Sequence, residues 1–116
     1  AQAYNNFAYS LVERGEDLDY ALSLSSKAIE ISPKTSAYLD TIGWIYYKLS
    51  DLDKAKEFII KAILYDDTSA VILEHYGDIL IELNEVSEAL IFYRKALLLD
   101  ENNEDLISKI SSNENQ

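Results

Sequence analysis

Glu74, His75 and Asp78 fall within one turn of a stretch that reads as helix, so two carboxylates and an imidazole share a neighbourhood. That is a ligand set for a divalent cation such as zinc. His75 is the one histidine, however, and a lone histidine among acids is more often polar surface, so the expectation is no metal and no cofactor. Asp66 and Asp67 offer paired carboxylates for acid–base chemistry, but they sit in a turn-like stretch with no visible pocket partner. Ser23, Ser25 and Ser26 have no base near them in the pattern, which leaves a nucleophilic role without support. The absence of cysteine excludes disulfides, thiolate zinc sites and a cysteine nucleophile. The glycines are isolated, so no phosphate-cradling loop exists. These residues assemble no catalytic group, and the chain reads as a non-enzyme.

Recognition is the remaining chemistry. Lys and Arg number 10 against 21 Asp and Glu, a net charge of −11 over 116 residues. An acidic chain without a basic stripe argues against nucleic acid and anionic membrane surfaces as partners. No apolar run is long enough to span a bilayer, so membrane insertion is not expected. Nine tyrosines, three phenylalanines and Trp44 supply ring surface instead.

The elements that position these residues are helical. Leu39, Ile42, Gly43, Tyr46 and Leu49 share one helical face, as do Ala55, Phe58, Ile59, Ala62 and Ile63. Three glycines and one proline are too few for an all-β fold. Ala21, Ala55 and Ala89 are spaced by 34 residues, as are Ala28, Ala62 and Ala96, Lys27, Lys61 and Lys95, and Gly43 and Gly77. Ala8 precedes Gly43 by 35, which places one extra residue in the turn Gly15–Leu18. The spacing predicts helices at 2–14, 18–31, 36–49, 53–65, 70–83 and 87–99, and a shorter one at 103–112. Repeats then cover about 1–35, 36–69 and 70–103 of one domain spanning 1–116, with a mobile tail at 113–116. Small residues at 8, 43 and 77, facing Ala21, Ala55 and Ala89, let paired helices approach closely.

Phe7-Ala8, Ile42-Gly43 and Tyr76-Gly77, the apolar residues Leu11, Tyr46 and Leu80, the two alanine series and Pro33 together resemble the tetratricopeptide repeat. The resemblance covers residues 3–103. It departs at Ser25, where the family and the other repeats carry a bulky residue (Ile59, Tyr93), and at Asp67 and Glu101, where only Pro33 keeps the terminal proline. Asn5–Tyr9, Asp40–Trp44 and His75–Asp78 also resemble the C-terminal repeats of bacterial members, a likeness that leaves the cytoplasm and the cell envelope equally open. The resemblance implies an all-α, right-handed α-solenoid of three helix–turn–helix repeats plus a C-terminal capping helix.

In such a solenoid the first helices line a concave groove. Helical phase from Gly43 then puts Asp40, Trp44, Tyr47 and Lys48 in the groove, with Asn5, Tyr9, Val12 and Glu13 in repeat one, and Glu74, Asp78, Ile81 and Glu82 in repeat three. Tyr9, Trp44 and Tyr47 would anchor apolar side chains of a partner, and the carboxylates would pair with its Lys or Arg. The alternative for the same residues is helix packing and a solvated acidic face. The expected ligand is a neutral-to-basic peptide or protein segment with apolar anchors. Family members that grip the C-terminal carboxylates of chaperones use Lys, Arg and Asn, and an acidic tail would be repelled here. In the capping helix Leu106, Ile107 and Ile110 should face in, and Asn103, Glu104, Ser108, Lys109 and Ser111 out. Ala1, Ala3, Tyr4 and Phe7 leave an apolar N-terminal edge, which preceding repeats or a homo-oligomeric contact would cover. Non-catalytic scaffolding is thus the leading expectation, and structural self-association through exposed terminal repeats the alternative.

Overall fold

The computed structural model describes residues 1–114 and contains, among them, seven helices and no strand. They are α1 (Gln2–Arg14), α2 (Leu18–Ile31), α3 (Ser36–Lys48), α4 (Leu52–Tyr65), α5 (Ala70–Glu82), α6 (Val86–Leu99) and α7 (Glu104–Asn113). Each boundary lies within one residue of the expected one. The last helix is displaced to 104–113 because Asn103 is its N-cap, accepting from the Leu106 N–H at 3.1 Å, while Asn113 Nδ2 donates to the Lys109 carbonyl at 2.7 Å. Asn113, expected in the tail, is therefore helical, Glu114 caps the helix with its N–H on the Ile110 carbonyl, and residues 115 and 116 of that expectation lie outside the described residues. The helices form two compact units, residues 1–65 with α1–α4 and residues from 66 onward with α5–α7.

The turns inside the hairpins explain the single break in the period. α1 ends with Glu16 N–H bonding back to the Leu11 carbonyl and Gly15 in the left-handed region at φ 66°. α3 and α5 end the same way through Asp51 to Tyr46 and Glu85 to Leu80, with Ser50 and Asn84 left-handed at φ 65° and 62°. In these two turns the residue that closes the first helix also opens the second, since the Asp51 and Glu85 carbonyls accept from Ala55 and Ala89. In the first turn the two roles fall on two residues: Glu16 closes α1, and the carbonyl of Asp17 accepts from Ala21. Asp17 is the extra residue, at a left-handed φ of 45°, and both helices keep their packed faces.

Within each hairpin the helices cross at one small residue. A Cβ placed on Gly43 would stand 2.8 Å from Ile59 Cγ1 and 3.3 Å from the Ala55 carbonyl oxygen. A Cβ on Gly77 would overlap the Tyr93 ring. Ile59 and Tyr93 are fully or nearly fully buried, and the corresponding residue of α2 is the small, fully buried Ser25. There the first helix carries Ala8 instead of glycine. The sum of the two facing volumes is thus shared differently in the hairpins, with one partner always small. Ala21, Ala28, Ala55, Ala62, Ala89 and Ala96 are all fully buried, as the alanine series required. In unit one Ser36 Oγ donates to the Ala62 carbonyl at 2.9 Å and Tyr38 Oη to Gln2 Oε1 at 3.0 Å, tying α3 to α4 and to α1.

Gly43→Ala adds a methyl against Ile59 while improving helix propensity, and the clash should dominate. The expected result is a net loss of about 1–3 kcal/mol in urea unfolding with native helical content retained.

Candidate functional site

In unit one, α1 and α3 present most of the residues expected to contact a partner. Asn5 and Asp40 are buried, at 7% and 6% exposure, and the Asn5 Oδ1 has no hydrogen-bond partner. Val12 is 2% exposed and shares a core cluster with Ala8, Leu11, Ala21, Leu24, Trp44 and Ile45. Its short side chain is spent on packing instead of facing outward. Trp44, expected to project, is also in that cluster, at 9% exposure. Its indole stacks on the half-buried Tyr47 ring, with centroids 4.5 Å apart and planes 11° from parallel. Lys48 Nζ lies 5.2 Å from the Trp44 ring centre and 5.9 Å from that of Tyr47, a cation on the stacked pair.

Tyr9 is the aromatic ring this face exposes most among the expected residues, at 41%, with the exposed Glu13 one turn beyond it. Its phenol is held above the ordinary tyrosine pKa, first by partial burial, then by the charge of Glu13, a hydrogen bond to Glu13 and the charge of Asp40. The hydroxyl therefore stays protonated beside the Glu13 carboxylate. The α1/α3 face thus combines the exposed Tyr9 ring and its neighbouring carboxylates on α1 and α3 with the Trp44–Tyr47 stack on α3.

Unit two differs. Glu74 and Asp78, expected to await a partner, surround an ammonium from the same chain. Lys109 Nζ on α7 donates to Glu74 Oε2 at 2.7 Å and lies 3.0 and 3.2 Å from the two Asp78 oxygens. Tyr93 Oη on α6 donates to Asp78 Oδ1 at 2.6 Å, and the ammonium is 5.8 Å from the centre of the Tyr93 ring. Partial burial disfavours the charged lysine, but the bonds to Glu74 and Asp78 and the charges of both outweigh it and raise the Lys109 pKa above its ordinary value. Both carboxylates are mostly buried, while Glu82 is exposed and Ile81 half-buried.

This arrangement corrects the expected orientation of α7. Leu106 and Ile110 face in as expected, but Ile107 is 46% exposed and Lys109 turns toward α5. Its role was legible in one respect: Glu104 stands 34 residues after Ala70, so α7 continues the period as a further first helix. Among the described residues no group of three or more His, Cys, Asp or Glu is placed to hold a metal ion; Glu74 and Asp78 point at Lys109. Among the described residues no helix is long and apolar enough to cross a membrane.

The family model of the tetratricopeptide repeat matches residues 37–68 and 70–103, more than half of the chain. The chain belongs to the tetratricopeptide-repeat family. Its repeat fold is matched along nearly its whole length by solved structures. The Arabidopsis OM64 tetratricopeptide-repeat domain superposes with a TM-score of 0.91 at 18% identity, covering 99% of this chain and 94% of that one. The first such domain of Spaghetti (RPAP3), bound to the HSP90 peptide SRMEEVD, gives 0.88 at 16% identity, covering 96% and 87%. The second domain of human RPAP3, in complex with the HSP70 peptide SGPTIEEVD, gives 0.84 at 18%, covering 97% and 92%. At such identities the likeness establishes the all-α helical-repeat fold. No curated protein matches the sequence. Repeat one, which lies outside the family-model match, is also the one with Ser25 and the inserted Asp17. Tetratricopeptide-repeat domains are protein-interaction modules, not enzymes, and this chain is such a module.

Proposed function

We propose that this tetratricopeptide-repeat domain binds a neutral-to-basic protein segment through the α1/α3 face of unit one. The observation that carries this reading is Tyr9, an exposed ring whose surroundings include the Glu13 and Asp40 carboxylates. An apolar side chain of the partner packs on the ring, and a Lys or Arg beside it pairs with Glu13. Asn5, Val12, Asp40, Trp44 and Tyr47 support the surface from within, and Lys48 borders it. In unit two Glu82 offers the exposed acid. The acidic chaperone peptides held by the two RPAP3 domains are a poor match in charge, because the net charge here is −11 and the exposed acids of the face repel carboxylates.

A fluorescently labelled Lys/Leu peptide and a Glu/Leu peptide of equal length test the reading by anisotropy. The Lys/Leu peptide should bind saturably, with an affinity that falls as salt rises. Tyr9→Ala combined with Glu13→Lys should weaken it about tenfold, or about 1.4 kcal/mol. Equal binding of both peptides, or an unchanged affinity in the double variant, contradicts the assignment.

A second reading, self-association, is favoured by the N-terminal edge. Tyr4 and Phe7 are 39% and 51% exposed, whereas Leu39 and Ile42, 35 residues on, are 3% and 2% exposed. Tyr20 extends this surface at 53% exposure, edge-on to Phe7 at 6.0 Å. If that edge joins two copies, light scattering should show a mass that doubles with concentration, and Phe7→Ser should keep the chain monomeric. A mass of one chain at all concentrations removes this reading.

A further inference from the structure

The seat of α7 states what the α5/α6 surface recognises. α7 is a short amphipathic helix whose attachment uses three residues of one face: Leu106, fully buried; Ile110, 9% exposed; and Lys109, whose ammonium reaches Glu74 and Asp78. Asp78 is oriented for that ammonium by the Tyr93 hydroxyl, itself fixed at the crossing with Gly77. The ion pair from Arg94 to Glu114 at 3.2 Å is exposed, with both side chains about half accessible, and contributes little.

Resting on the reading that this chain binds protein segments, we propose that the α5/α6 surface is a binding site for an amphipathic helix carrying an apolar residue, a lysine three positions later and an apolar residue after that, and that α7 occupies it as an intramolecular competitor. The occupant is identified by charge and shape on the surface itself. Two largely buried carboxylates of one sign demand a cation, and one that stays unpaired there is costly. An approaching helix of another protein with the same pattern meets the same carboxylates, the same Tyr93 ring and the same apolar seat. Occupancy by α7 sets the threshold that a partner must exceed, because its own residues are present at the high effective concentration of a tethered ligand.

The test uses the full chain and a labelled synthetic peptide with the sequence of residues 103–113. Lys109→Glu sets a third carboxylate against Glu74 and Asp78 and expels α7, while Leu106 and Ile110 remain in the chain. The peptide should bind the Lys109→Glu chain saturably and at least about tenfold more tightly than it binds the wild-type chain, whose seat is filled. A peptide carrying glutamine in place of its lysine should lose that binding. Far-UV circular dichroism verifies that the variant keeps its other helices, and Lys109→Met replaces it if it does not. The chain with Glu74→Gln and Asp78→Asn separates recognition from loosening: it also frees α7, yet should bind the peptide no better than wild type. Equal binding to wild type and Lys109→Glu, no binding to either lysine variant, or full binding to the Glu74→Gln/Asp78→Asn chain overturns the proposal. So does a wild-type dimer that the peptide dissolves, which would assign the seat to a second copy. Tyr9 and Glu13 lie in the other unit, so a failure here leaves the α1/α3 reading standing and a failure there leaves this one.

Discussion

Every hairpin of this chain depends on one close crossing, where a small residue on the first helix meets a residue of matched size on the second. Glycine faces Ile59 and Tyr93 at two crossings, and Ala8 stands opposite the level of Ser25 at the other. Interior packing at crystal-like density leaves no slack for a methyl group that would stand 2.8 Å from Ile59. The crossing fixes which face of each first helix is spent on its partner. It thereby fixes which face is left to meet another protein. Helix propensity alone would replace both glycines with alanine; their presence inside α3 and α5 is a packing requirement that overrides propensity.

The same crossing links architecture to electrostatics in unit two. Tyr93 fills the space that Gly77 leaves open, and its hydroxyl then reaches Asp78. Asp78 and Glu74 in turn draw Lys109 and with it α7. A volume exchange at one residue therefore ends in a charge-assisted attachment two helices away. Unit one holds Ser25 and Ile59 where unit two holds Tyr93; the Ser25 hydroxyl is buried without a hydrogen-bond partner, and the outward face of that unit is built around Tyr9 and Glu13 instead.

The helices and their order were legible in the sequence because the small residues recur with a period that only a repeated hairpin explains. The inserted residue was legible as well, since a turn can absorb it and a packed helix cannot. Side-chain direction was harder to read. Helical phase placed Val12 and Trp44 outward, but a large indole can lean onto a neighbouring helix, and both residues ended in one core cluster. Lys109 falls on the outward side of α7 when that helix is phased on Leu106, Ile107 and Ile110. The counter-signal lay outside its own helix, in two acids that its place in the period brings opposite it. Amphipathicity within one helix reports burial against apolar neighbours and says nothing of a buried charge partner on another.

The crossing is tested most directly by transplanting it. In a double-mutant cycle measured by urea unfolding, Ser25→Ile in the presence of Ala8 should destabilise the chain by about 1–3 kcal/mol. In an Ala8→Gly background the same substitution should cost less or stabilise, with a favourable coupling of about 0.5–3 kcal/mol. Additive effects would show that the two positions do not share one space, and would contradict the account.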